Sequence, residues 1–318
     1  MKILIADELP QDKIEVLREK GYECIVEPDL KAEQIPERIS GIEILVVRST
    51  KVLSEVFDKS DSLGLVVRSG AGINTIDCQG AADSGIYVCN VPGTNSIAVA
   101  ELTMGLILAI DRHIPSATSD LKENRWNKKI YSDAEGLFGK TLGIVGLGEI
   151  GLAVAERARS FGITVLAKKA SRKPETESKI RSNGIKLVDT IEELISESDM
   201  ISIHLPSKSE TKNFVDEDFL KLMKPNSILI NTSRGEVVDE AALIASLNEK
   251  NIRAGLDVFC NEPTTGTGNF SSELAQHPNV IGTHHIGAST QQAQNATVEE
   301  TIRVIDAFRE GNVINCVN

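Results

Sequence analysis

Short, mainly apolar runs recur along this chain, separated by polar segments with helical spacing. Before about residue 95 the runs cover 3–6, 23–26, 44–47, 65–67 and 87–91, with helix-like stretches at 12–19, 32–39 and 76–83 between them. Past residue 140 the same rhythm returns, with runs at 141–145, 164–167, 185–188, 201–205, 228–231, 255–258 and 280–283. Helices fit between these, 239–248 being the clearest. The runs are too short for helices and rich in β-branched residues, so they read as strands. Strand and helix in alternation predict parallel sheets covered on both faces, one in each half of the chain. Between the halves, 96–112 is small and apolar nearly all the way round, with Ser96 placed to cap it. Such a helix is either buried in its own domain or set at a subunit interface; a homodimer contact is the preferred reading. A second, amphipathic helix is expected over 115–126, and a long one over 290–308. The turn-rich Asn90-Val-Pro-Gly-Thr-Asn95 is a candidate hinge.

One junction carries more information than the others. The strand 141–145 runs into Gly146-Leu-Gly148-Glu149-Ile150-Gly151, and helical composition follows from Leu152 to Ser160. A GxGxxG placed between strand and helix suits a dinucleotide. Its glycines serve a tight turn, close approach to a pyrophosphate, and close packing of helix on strand. The helix N-terminus would then offer free N–H groups to the phosphates. No such motif occurs in the first half, which points to a different task there.

Composition narrows the partners. A length of 318 residues suggests about two domains, and the 41% hydrophobic and 25% charged residues are ordinary for a globular protein. The net charge of -12 argues against nucleic acid, which calls for a basic face. The five cysteines, Cys24, Cys78, Cys89, Cys260 and Cys316, lack metal-ligand spacing and read as thiols in a reducing compartment. The N-terminal apolar run is too short for a signal peptide, and 97–110 too short to span a bilayer. A cytoplasmic enzyme without a metal is the expectation.

The candidate chemistry lies just past the second set of strands: Arg234 in Asn231-Thr-Ser-Arg-Gly235, Glu262 in Asp257-Val-Phe-Cys-Asn-Glu-Pro263, and His285 in His285-Ile-Gly-Ala-Ser-Thr290. Ligands of open α/β sheets bind outside the carboxyl ends of the strands. A group that exchanges a hydroxyl proton must titrate near neutral pH, and histidine titrates in the right range. A carboxylate beside it would orient the ring. An arginine fits the substrate carboxylate in a planar fork.

With the glycine motif, these three stretches resemble the D-isomer-specific 2-hydroxyacid dehydrogenases, and the likeness runs over essentially the whole chain. Val47-Arg-Ser-Thr-Lys-Val52, 68–77, Asn95-Ser96, Ala100-Glu-Leu-Thr103 and Ile314-Asn-Cys-Val-Asn318 resemble most closely the members acting on 3-phosphoglycerate, the substrate of serine biosynthesis. The resemblance implies two Rossmann-like, doubly wound parallel-sheet domains with a cleft between them whose closure excludes water. The substrate domain would comprise 1–95 plus 288–318, the cofactor domain 96–287, in a short form lacking a regulatory domain. Arg234, Glu262 and His285 would be catalytic. Ala71, Gly146, Gly148, Glu149, Ile150, Gly151, His204, Leu205, Pro206, Thr232, Ser233, Asp257 and Gly287 would contact the cofactor, Asp257 near the nicotinamide amide. The backbone N–H groups from Ser69 through Gly70 to Gly72 would hold the substrate carboxylate, with Arg48, Ser49 and Asn95 also on substrate.

Two departures matter. His284 stands where the family usually has proline, although Ile-Gly-Ala marks His285 as the match, and a paired-histidine metal site lacks further ligands. The acidic residue expected about 20 residues beyond the glycines, on the ribose hydroxyls, is replaced by Ala167-Lys168-Lys169-Ala-Ser-Arg172-Lys173. This favours NADP(H) over NAD(H). The alternatives are a glyoxylate or hydroxypyruvate reductase with the same chemistry, or a cofactor-sensing corepressor. An intact Arg/Glu/His set argues against the corepressor, and Glu262 against a formate dehydrogenase.

Overall fold

The structure is a computed structural model that describes residues 1–263 and 267–318. It divides into unit 1, Met1–Asn95 with Ser289–Asn318, and unit 2, Ser96–Ala288. Unit 1 holds β1 (Lys2–Ile5), β2 (Glu23–Val26), β3 (Ile44–Val47), β4 (Leu65–Arg68) and β5 (Tyr87–Asn90), ordered β2-β1-β3-β4-β5 and parallel throughout. Side chains alternate across the sheet. Ile3, Ile5, Ile44, Val46, Leu65 and Val67 face one way, onto Ile14, Leu17, Val298, Ile302 and Ile305. Leu4, Leu45, Val47, Val66 and Val88 face the other, onto Ile35, Ile39, Val56, Phe57 and Ala81. Both faces are covered, which is why these strands are apolar at successive positions. The layer covering the first face includes the returning helix Gln291–Arg309, started by the Thr290 hydroxyl accepting from the Ala293 amide.

Unit 2 holds β6 (Thr141–Val145), β7 (Thr164–Lys168), β8 (Lys186–Val188), β9 (Met200–Ile203), β10 (Ile228–Asn231), β11 (Arg253–Leu256) and β12 (Val280–Gly282). Their order is β12-β11-β10-β9-β6-β7-β8, again all parallel. The order reverses at β6, between β7 and β9. A crevice opens at such a switch point, at the carboxyl ends of the strands.

The helix Ser96–Asp111 packs against the helix Glu149–Ser160 and against β10 and β11. Ala98, Val99, Ala100, Thr103, Met104, Leu106, Ile107 and Ile110 are all buried there, and only a narrow stripe with Ile97, Glu101 and Gly105 is exposed. Most of its apolar surface is thus buried inside its own unit, while Ile97 stays exposed. Among the described residues no helix is long and apolar enough to cross a membrane.

Candidate active site

The loop after β6 follows the logic of its glycines. Gly146 sits at φ +97, and a Cβ there would run into the backbone carbonyl of His204, which follows β9. At Gly151 a Cβ would strike the Gly146 carbonyl, so the helix Glu149–Ser160 could not approach its own turn. Gly148 differs, because a Cβ there would meet nothing. That open space, beside a helix start that no side chain caps, suits a phosphate group.

His204 completes the same edge. Its Nε2 lies 2.8 Å from Ser202 Oγ, whereas Nδ1 is buried without a hydrogen-bond partner among the described residues. Burial pushes its pKa down to about 4, so the ring is neutral near pH 7. An orphaned imidazole nitrogen beside the glycine loop fits a ligand that brings its own hydrogen-bonding oxygens. Leu205 is partly buried and Pro206 exposed. Ile150 is half-buried, and Glu149 is exposed, paired with Lys179 at 3.1 Å.

Past β10, Asn231 shapes the turn that presents Arg234. The buried Asn231 carboxamide accepts from the Ser233 amide (3.0 Å) and hydroxyl (2.7 Å), and donates to the Arg234 carbonyl at 2.9 Å. Gly235 follows because a Cβ there would collide with the backbone of Phe259 and Cys260. Arg234 is half-buried and uses one guanidinium nitrogen on the Ser233 carbonyl (2.6 Å). Thr232 is buried, its hydroxyl 3.0 Å from that of Thr103.

The catalytic candidates meet beyond β11 and β12. His285 Nδ1 lies 2.6 Å from Glu262 Oε1. A carboxylate only accepts, so Nδ1 carries the proton and Nε2 is left to act on a ligand. His285 adopts a left-handed backbone (φ 52), uncommon outside glycine. The reason it holds is Asp257, 1% exposed. Asp257 Oδ1 accepts from the Thr283 hydroxyl (2.5 Å) and the Ile286 amide (2.9 Å), and Oδ2 from the Gly287 amide (2.8 Å). The Asp257 carbonyl also accepts from the His285 amide at 2.8 Å. Residues 283–287 are thereby wrapped around one carboxylate, a bracing role that motif reading alone did not show. His284 is exposed and has no hydrogen-bond partner among the described residues.

At the end of β7 the basic residues are less free than their sequence suggests. Lys169 Nζ lies 2.6 Å from Asp189 Oδ1, just past β8. The Arg172 guanidinium donates to the Lys168 carbonyl (2.6 Å) and, more weakly, to that of Ala170. Lys168 is exposed, with no side-chain partner among the described residues. A carboxylate is therefore present near this edge, contributed by the neighbouring strand.

In unit 1 the expected substrate contacts hang on a residue that the sequence did not single out. The Asp7 carboxylate, at the end of β1, accepts from the backbone amides of Arg48 (2.6 Å), Ser49 (3.1 Å) and Thr50 (3.1 Å), and from the Ser49 hydroxyl (2.8 Å). This fixes the loop after β3 and leaves the half-buried Arg48 guanidinium without a partner among the described residues. The amide cradle expected over 69–72 is narrower than that. Ser69 N–H donates to the Val47 carbonyl (2.7 Å) and Gly70 N–H to the Arg68 carbonyl (2.8 Å), so both are spent within the fold. The amides of Ala71 and Gly72 remain without partners among the described residues, while the Ala71 carbonyl is held by Asn90 Nδ2 at 2.7 Å. Asn95 is half-buried.

Residues 104–287 match the family model for the D-isomer specific 2-hydroxyacid dehydrogenase NAD binding domain. The chain is 41% identical to a D-3-phosphoglycerate dehydrogenase of Methanocaldococcus jannaschii, an alignment covering 100% of this chain and 60% of that protein. It is 39% identical to a glyoxylate reductase of Thermococcus litoralis, covering 98% and 95% respectively. Among solved structures, a D-lactate dehydrogenase of Aquifex aeolicus, complexed with NAD and lactic acid, superposes with a TM-score of 0.81 at 28% identity, over 98% of this chain and 96% of that one.

Proposed function

The chain belongs to the D-isomer specific 2-hydroxyacid dehydrogenase family, and on that premise we propose that it moves a hydride between a nicotinamide dinucleotide and a D-2-hydroxy acid or its 2-oxo acid. The observation that carries this reading is the His285 Nδ1 to Glu262 contact of 2.6 Å. It leaves Nε2 as the proton donor to a carbonyl oxygen in reduction, and the acceptor of the hydroxyl proton in oxidation. Arg234 keeps donors for the substrate carboxylate and polarises the carbonyl. When bound, the nicotinamide supplies or takes up the hydride. Gly148 and the uncapped helix start would hold its pyrophosphate, with the orphaned Nδ1 of His204 facing the same edge.

For substrate, the unpartnered Arg48 guanidinium favours a phosphorylated acid, 3-phosphoglycerate. We expect Arg48→Ala to raise KM for 3-phosphoglycerate by about 10-fold or more, from the loss of a charge-assisted phosphate contact. Glyoxylate reduction should stay nearly unchanged. The test is a rate survey over 3-phosphoglycerate, hydroxypyruvate and glyoxylate with wild type and variant. A second reading, glyoxylate reductase, is supported by the 39% identity to that relative over 98% of this chain. Brisk glyoxylate turnover with no response to 3-phosphoglycerate would establish it.

For the cofactor, NADP(H) is favoured because the usual carboxylate at the end of β7 is missing and Lys168 and Arg172 stand beside the gap. The tie from Lys169 to Asp189 makes the preference a modest one. Exposed ion pairs contribute about 1 kcal/mol or less, so kcat/KM should favour NADPH over NADH by roughly 10-fold at most. Lys169→Asp should reverse the preference, and Asp189→Asn should widen it. A wild type strongly selective for NADH, or ratios indifferent to both changes, would show that this edge does not read the ribose.

A further inference from the structure

The cysteines that look scattered along the chain are not scattered in unit 1. Cys89, in β5, and Cys316 face each other across an antiparallel bridge. The backbone bonds framing it run from the Asn90 amide to the Asn315 carbonyl (3.1 Å) and from the Val317 amide to the Val88 carbonyl (2.9 Å). Cys89 and Cys316 themselves exchange no backbone bond, so they form the close, non-hydrogen-bonded type of pair, with Cα atoms about 4.5 Å apart. That lies within the roughly 4.4–6.8 Å over which a disulfide closes. The Cys316 thiol donates to the Asn318 carbonyl (3.4 Å) and side-chain oxygen (3.3 Å), and it stands near enough to Cys89 to disfavour the Cys89 thiolate. Access is asymmetric: Cys316 is exposed, whereas Cys89 is fully buried behind it.

We propose that Cys89 and Cys316 form a redox-modification site, at which a small disulfide of the glutathione type converts the two thiols into one intramolecular disulfide that staples residues 314–318 to β5. The exposed Cys316 thiolate attacks the small disulfide, forming a mixed disulfide and releasing one thiolate. Cys89, as thiolate, then attacks Cys316 Sγ and expels the second. Two protein thiols lose two electrons and two protons, and the small disulfide takes them up as two thiols. Burial, and then the neighbouring Cys316, push the Cys89 thiol up to about 12, so its thiolate is scarce. The second step is therefore the slow one, and the mixed disulfide on Cys316 accumulates first. Cys78 is also close enough to feel Cys316, but it does not lie across the bridge, so it is not the partner.

The test is to incubate the folded protein with oxidised glutathione, block remaining thiols with an alkylating reagent, and map peptides without reduction. The expected product joins the Cys89 and Cys316 peptides, is preceded by a glutathione adduct on Cys316, and is reversed by dithiothreitol. Cys316→Ser should lose the cross-link altogether, and Cys89→Ala should stop at the Cys316 adduct. Because the wild-type map stands by itself, a poorly folding Cys89→Ala does not remove the test. A Cys78–Cys316 cross-link, a disulfide between two chains, or a Cys316 adduct that never resolves in the wild type would each overturn the proposal.

Discussion

His285→Ala is expected to lower kcat by about 10²-fold or more, the usual cost of losing a general acid–base. His284→Ala should change it by no more than a few-fold. The two histidines are adjacent in sequence and both exposed, yet their surroundings differ. His285 is oriented by Glu262 through Nδ1 and held in its left-handed backbone by the Asp257 cradle, whereas His284 has neither support. Because Nδ1–H is committed to Glu262, Glu262→Gln should retain part of the orientation while weakening the protonated ring, a smaller loss than His285→Ala. Steady-state kcat for the three variants, with circular dichroism to confirm folding, decides this. Equal losses at 284 and 285 would place the proton transfer elsewhere.

The second large effect is expected at Asp257, a buried side chain that touches His285 only through the backbone. Asp257→Ala removes the acceptor for the Thr283 hydroxyl and the Ile286 and Gly287 amides at one stroke. Hydrogen bonds to a charged group contribute about 1.5–3 kcal/mol each, and a buried donor left unpaired adds a penalty. These contributions are not additive, so about 3–5 kcal/mol of stability is expected to go. Released from the cradle, His285 should relax from φ 52 towards commoner backbone, and kcat should fall by about 10²-fold through misplacement rather than loss of the base. Urea unfolding and kcat on the same preparations test the two halves together. A variant as stable and as active as wild type would mean that the turn is held by other contacts.

How much of this was open to a reader of the sequence alone depends on the range of the interaction. The strands were legible because a sheet covered on both faces demands apolar residues in succession, and all twelve strands of the described residues lie within two residues of the ranges inferred at each end; β11 is the most displaced, starting at Arg253, two before the inferred Gly255, and ending two earlier. The helix starts Thr290 and Asp239 were legible because capping is local chemistry. The glycine loop, Arg234, Glu262 and His285 were legible because each motif carries its own neighbours along the chain. Local sequence could not say what stands opposite. The helix 96–111 reads the same whether its apolar surface meets another subunit or β10 and β11, and only the packing places it against the latter. Lys169 reads as a free cation until β8 brings Asp189 to it from 20 residues away. The amides of Ser69 and Gly70 read as a ligand cradle until Val47 and Arg68 take them. The sequence by itself determined the parallel α/β architecture and the residue types for the chemistry, because propensity, burial pattern and motif spacing are properties of neighbouring residues. Which donors and charges remain available to a ligand was decided only by the tertiary structure, because each polar group is claimed first by whatever acceptor or counter-charge folding brings within about 3 Å of it.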